Sequence, residues 1–214
     1  MKPRLLVVGA GGHARVVLAI ARRTGDWELA GVLDHTRPAA PEVIGGVPVI
    51  GAIEDAAKLF ADGIRHIALA QGDNDKRAAL HAYLAALGFV FPVLRHPSAL
   101  VEDDAEIGEG SVICAGAIIG VEARIGRAVI INTGVIIDHE TLVGDHAHVA
   151  PGCRIAGRVR IGAGVMLGLG SCVRDKIVVG ARAIVGAGSV VVDDIPESVV
   201  AYGSPARVMR PRDP

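Results

Sequence analysis

The chain has 214 residues, 51% of them apolar and only 3% aromatic, with a formal net charge of −1. That length carries one large domain or two modest ones with real cores, and the apolar fraction excludes a disordered chain. A near-neutral charge, with no polybasic run and few aromatics for bases to stack on, argues against a nucleic-acid partner.

Met1-Lys2-Pro3-Arg4 followed by Leu5-Leu6-Val7-Val8 begins in the order of a signal peptide, but the apolar run stops at Gly9-Ala10-Gly11-Gly12. It reads instead as a buried strand entering a glycine loop. No uninterrupted apolar run approaches the roughly 18 residues needed to span a bilayer, so a soluble, cytoplasmic protein is expected. A helix is predicted across Ala14–Arg23, and a second strand over Leu29–Leu33 ends in Asp34. A further strand over Ile64–Ala70 ends at Gln71-Gly72-Asp73-Asn74, and an amphipathic helix over Lys76–Leu87 is closed by Gly88. Strands alternating with helices imply a small Rossmann-like parallel α/β domain over residues 1–97.

The glycine loop fits G-x-G-x-x-A where a strand meets a helix, so its amides can face an anion. Asp34 can accept hydrogen bonds from ribose hydroxyls or a base. The motif is weak alone: a dinucleotide cofactor, a nucleotide carried by a substrate and an empty tight turn all fit it. Nothing downstream supplies a hydride-transfer site, which disfavours NAD.

From Val101 the pattern changes. Stepping by six gives Val101, Ile107, Ile113, Ile119, Ile125, Ile131, Ile137, Val143, Val149, Ile155, Ile161, Leu167, Val173, Val179, Val185 and Val191, all aliphatic without a slip. The residue two before is small or β-branched (Ala117, Thr141, Cys153, Ser171), and the residue after is often Gly. Such a period means one short strand and one corner per hexad, with three hexads closing a triangular coil. The aliphatic fills the interior, the small residue fits the corner, and Gly tolerates a tight backbone. A left-handed parallel β-helix is therefore expected over 98–195, with a tail at 196–214 packing on its end. Sandwich strands would show variable spacing and hairpin turns. Cys114, Cys153 and Cys172 fall in apolar repeat positions and are expected to be buried free thiols.

The residue before each aliphatic points outward, and every eighteenth lies on one face. Val112, Ile130, His148, Met166 and Ile184 form an apolar stripe, expected to be a subunit contact. Glu106, Arg124, Leu142, Arg160 and Val178 form a face expected to be solvated.

Among the eight histidines, His66, His81 and His96 lie in ordinary strand and helix patterns. The run Asp138-His139-Glu140, with His146 and His148 after it, interrupts Gly- and Ile-rich hexads. An imidazole flanked by carboxylates is held in one tautomer, as a general base requires; a solvated corner is the bland alternative.

With Gly9–His13, Val135–Gly152 and Gly203-Ser204-Pro205-Ala206-Arg207 in view, the whole chain resembles the bacterial nucleotide-sugar N-acetyltransferases of the bacillosamine, perosamine and sialic acid type, hexapeptide-repeat acyltransferases. The resemblance implies acetyl transfer from acetyl-CoA to the C4 amine of a nucleotide-linked 4-amino-4,6-dideoxyhexose, in glycan biosynthesis. It implies His139 as catalytic base with Glu140, or Asp138, stabilising its cation. Acetyl-CoA contacts are implied at His148, Leu169 and Ala187, and sugar-nucleotide contacts at Gly11, Gly12, His13, Asp34 and Gly72. Arg207 and Arg210 are candidates for the CoA phosphates. A homotrimer is implied, and no metal. A sialic acid O-acetyltransferase is the near alternative. A zinc lyase of the carbonic anhydrase type, with imidazoles converging on one ion, and a non-catalytic sugar-nucleotide sensor are the distant ones.

Overall fold

A six-residue repeat can bury its aliphatic only if the next coil lies directly over it, and the backbone shows that arrangement. The computed structural model describes residues 1–213, in two units, Met1–Pro97 and a second beginning at Ser98.

In the first unit, β1 (Arg4–Val8) lies between β2 (Glu28–Asp34) and β5 (His66–Leu69), parallel to both. Two strands that the sequence reading missed, β3 (Val43–Ile44) and β4 (Val47–Ala52), complete the order β3-β4-β2-β1-β5. β4 runs parallel to β2, and β3 forms an antiparallel hairpin with it. The hairpin had a signal: Gly45-Gly46, both at positive φ (51° and 80°), between two apolar pairs. Helices α1 (Gly12–Thr24), α2 (Ala56–Ala61) and α3 (Asn74–Ala86) complete the unit, α1 burying Ala14, Val17, Leu18, Ile20 and Ala21.

The second unit is a left-handed parallel β-helix. Among the described residues, sixteen two-residue strands run from Leu100–Val101 to Val190–Val191. Up to Cys172–Val173, each pairs in parallel with the strand eighteen residues on, as Ile118↔Ile136 and Arg124↔Leu142 show. Three flat faces result. The aliphatics from Ile113 to Val191 are all buried, and they form a single core with the small residues two before them. Inner hydroxyls are satisfied by coil carbonyls: Thr141 Oγ1 donates to Ala156 O at 3.0 Å, and Ser111 Oγ to Gly126 O at 2.8 Å.

Three expectations need correction. Glycine after the aliphatic is not there for a tight backbone. Gly126, Gly144, Gly162 and Gly168 lie outside the left-handed region, and a Cβ on any of them would stand 2.5 Å from an atom of the next coil. The left-handed position comes two residues later and is filled by Gly (Gly134, Gly152) or by a long side chain (Glu122, Glu140, Arg158). Secondly, Val112 and Ile130, with 2% and 1% of their surface exposed, are already buried within one chain. They are not available to a subunit contact, whereas Met166 and Ile184 are half-buried. Thirdly, Cys172 is half-buried; only Cys114 and Cys153 are buried, and burial pushes the Cys114 thiol up to about 12.

At the far end, Val199–Gly203 pairs in parallel with Ile184–Val185, and Ala206–Pro211 folds back antiparallel on it. No helix among the described residues is long and apolar enough to cross a membrane.

Candidate functional site

The prism has three corner columns, and the candidate base stands on one of them. The strand Ile136–Ile137 ends at Asp138, and the chain turns through His139 and Glu140 before re-entering a strand at Leu142–Val143. Glu140 sits in the left-handed region (φ 55°), with its side chain beside the imidazole rather than along the coil. Its Oε2 lies 2.9 Å from His139 Nδ1, the two side chains being 38% (His139) and 46% (Glu140) exposed. A carboxylate only accepts, so Nδ1 carries the proton and the neutral ring leaves its lone pair on Nε2. That is the tautomer a base needs.

Asp138 has a different part. Its Oδ1 accepts from the backbone N–H of His139 at 2.8 Å, so it braces the turn and does not meet the ring. Of the two carboxylates named for the imidazolium, only Glu140 is placed to stabilise it.

His146 and His148 do not join His139. His146 stands on the next corner, at φ 57°, and His148 lies on the following face, its Nε2 3.2 Å from Asn132 Nδ2. Asn132 is a partner the sequence reading did not name. Leu169 and Ala187 are exposed on the third corner, one coil apart, where Gly188 N donates to Leu169 O at 2.7 Å. Arg207 and Arg210 are engaged in exposed ion pairs, with Asp193 at 3.1 Å and Asp213 at 2.8 Å.

The first unit presents a cleft of about 450 Å³ at the carboxyl ends of β1, β2 and β5. It gathers Gly11, Gly12, His13, Asp34 and Gly72 along with His35 and Gln71. The strand ends are held together closely: Gly9 N donates to Leu33 O at 2.8 Å and Ala70 N to Val8 O at 2.7 Å. Gly9 (φ 106°) would meet Ala70 O at 3.0 Å through a Cβ, whereas Gly11 and Gly12 would meet nothing within 4 Å. The protein's own packing therefore does not require glycine at 11 and 12. Bare backbone facing a cleft at a helix N-terminus suits close approach by a phosphate. Asp34 Oδ1 accepts from Ala10 N at 3.4 Å, which ties the loop to the end of β2.

Arg77 underlies the far wall of this cleft. Only 1% exposed, it donates to Gln71 O at 3.0 Å, Gly72 O at 3.3 Å and Asn74 Oδ1 at 2.8 Å. Burial lowers its pKa to about 10, partly offset by Asp73. A charged residue on an amphipathic helix reads as solvated, so the sequence hid this brace.

A Rossmann-like sheet joined to a left-handed β-helix, with an oriented histidine on a prism corner, defines a hexapeptide-repeat acyltransferase. The profile of the PglD N-terminal domain matches residues 4–84. The chain is similar to the UDP-N-acetylbacillosamine N-acetyltransferase of Bacillus subtilis (strain 168), 40% identical over 112 residues, a match spanning about half of each chain (51% of this one, 50% of that one). Among solved structures, PerB from Caulobacter crescentus, in complex with CoA and GDP-perosamine, superposes with a TM-score of 0.92, 37% identity and 98% of each chain covered. A mutant of perosamine N-acetyltransferase from the same organism gives 0.92 and 36%, with 98% of each chain covered. The acetyltransferase domain of PglB from Neisseria gonorrhoeae, in complex with acetyl coenzyme A, gives 0.90 and 35%, with 98% of this chain and 100% of that one covered. The chain belongs to this family of acetyl-CoA-dependent sugar N-acetyltransferases.

Proposed function

We propose that the protein transfers acetyl from acetyl-CoA to the C4 amine of a UDP- or GDP-linked 4-amino-4,6-dideoxyhexose. The observation that carries this reading is the His139 ring, held by Glu140 at Nδ1 with Nε2 left to accept a proton. The amine nitrogen attacks the thioester carbon, and Nε2 takes the N–H proton as the C–N bond forms. Glu140 stabilises the imidazolium. When the tetrahedral intermediate collapses, the C–S bond breaks and the same proton leaves with the CoA thiolate. Incubation with acetyl-CoA and a panel of amino-sugar nucleotides, following thiol release, tests the reading. Turnover on none of the 4-amino sugars would sink it.

The first unit holds the nucleotide, through Gly11, Gly12, His13, Asp34 and Gly72, and the prism holds the acetyl donor, through His148, Leu169 and Ala187. Clustered amides at a helix N-terminus, in the cleft of the first unit, support the former. Asp34→Ala is expected to raise KM for the sugar nucleotide about tenfold or more, the worth of a hydrogen bond to a charged group. KM for acetyl-CoA should stay unchanged, and initial rates with each substrate varied in turn decide the point.

The active assembly is a trimer. His139 and the pair Leu169 and Ala187 stand on different corners of one prism, so a donor at the second corner meets a base supplied by a neighbouring prism. Sedimentation equilibrium should give three times the 22.0 kDa chain. Inactive His139→Ala and Leu169→Asp chains, co-refolded, should regain activity in mixed trimers. A stable, active monomer would contradict the shared site.

A further inference from the structure

Gly157 stands in the repeat position of His139, one coil on. Along the prism that position is filled by many residue types, alanine at 115, 163, 181 and 187 among them, and by glycine at 157 alone. The backbone does not ask for glycine there, because Gly157 lies outside the left-handed region. Nor does coil stacking. The glycines that stacking requires, Gly144, Gly162 and Gly168, would each press a Cβ on the backbone of the next coil. A Cβ on Gly157 would meet the imidazole of the preceding coil, overlapping His139 Nε2 and standing 2.5 Å from Cε1 and 2.9 Å from Cδ2. Gly157 is buried although its corner is open to solvent, as expected for a residue the ring covers.

We infer that Gly157 is a positioning residue: a notch one side chain deep on which the face of the His139 imidazole rests, over its Nε2–Cε1 bond. The inference rests on His139 being the base. Glu140 fixes one edge of the ring through Nδ1, which alone leaves it free to swing about that bond. The notch limits that swing by supporting the ring's face, and the two together hold Nε2 in one place with its lone pair clear. Alanine, tolerated in this repeat position at 115, 163, 181 and 187, would push the ring out and stretch the bond to Glu140. Misplacement of a reacting group by about 1 Å costs on the order of 10²-fold in rate.

Gly157→Ala is expected to lower kcat about 10²-fold, with KM for acetyl-CoA and for the sugar nucleotide (GDP-perosamine, or a UDP-linked 4-amino sugar) changed less than about threefold. In a His139→Ala background the same substitution should cost nothing more, because the group it displaces is gone. The ¹⁵N resonances of His139 give a readout independent of turnover: the Nδ1–H tautomer of the parent should be lost or mixed in Gly157→Ala. Native kcat with an unchanged tautomer would overturn the notch. So would an equal loss in the His139→Ala background, which would mean that the methyl simply blocks substrate. Near-native turnover by His139→Ala itself would refute the base reading, and the ¹⁵N arm would still decide the notch.

Discussion

His139→Ala is expected to lower kcat by about 10²–10⁴-fold, the usual worth of a positioned general base. Folding should be untouched, because the ring is 38% exposed on a corner and takes no part in the aliphatic core. Substrate binding should survive as well, since the proposed nucleotide cleft lies in the first unit and the proposed donor contacts lie on another corner. KM values should therefore move little while kcat collapses, the pattern of an interaction made chiefly in the transition state. Glu140→Gln should cost less: the amide still touches the ring but no longer places a negative charge beside the imidazolium. The control is Asp138→Asn, which removes a carboxylate next to the histidine but not from its ring, and should cost least. Steady-state kinetics on the three variants, with circular dichroism to check folding, decide the ranking. Near-native turnover by His139→Ala would remove the base from the mechanism.

Gly144→Ala, a single added methyl, is expected to damage the fold as much as a large core truncation. Its Cβ would stand 2.5 Å from Ala163 N, 2.8 Å from Gly162 C and 2.9 Å from Ala163 Cα. All three are backbone, and no rotamer change relieves them. The coils must part locally, straining Gly144 N→Ile161 O and Gly164 N→Asp145 O, now 2.8 and 2.9 Å. Overpacking of about 1–3 kcal/mol, with two weakened hydrogen bonds at about 1 kcal/mol each, gives a loss of about 3–5 kcal/mol. At about 2–4 °C per kcal/mol for a chain of this size, the melting temperature should fall by ten degrees or so. Gly116→Asn is the contrast: Gly116 (φ 67°) has open space at its Cβ, and asparagine tolerates the left-handed region, so little change is expected. Scanning calorimetry at one fixed protein concentration compares them, the concentration being held because the proposed assembly would contribute to apparent stability.

The prism was legible because its physics is repetitive: each interior position needs a branched aliphatic, and sixteen of them declare the period. The strand–loop–helix start was legible for a similar reason, a buried apolar run meeting glycines. The β3–β4 hairpin was not, since β3 has two residues and Pro48 interrupts the apolar pattern of β4. The division of roles between Asp138 and Glu140 was also hidden. Both flank His139 in sequence, and only the left-handed turn at 140 brings one of them to the ring. Spacing alone put Val112 and Ile130 on an outer face, but cannot show that both are buried within one chain. Arg77 and Gly157 were missed for opposite reasons, one being a charge taken for surface and the other a glycine taken for repetition.

The folded-back strand Ala206–Pro211 has a consequence for what the protein avoids. A parallel β-helix ends in open strand edges, and any identical prism could continue the stack from there, coil upon coil, into a filament. Here the last parallel edge of one of the three faces is occupied by Val199–Gly203, and the strand beyond it runs the other way. A second chain arriving at that edge meets reversed polarity instead of a matching parallel template. On that face one change of direction ends the parallel ladder, which agrees with the side-by-side association proposed for the trimer.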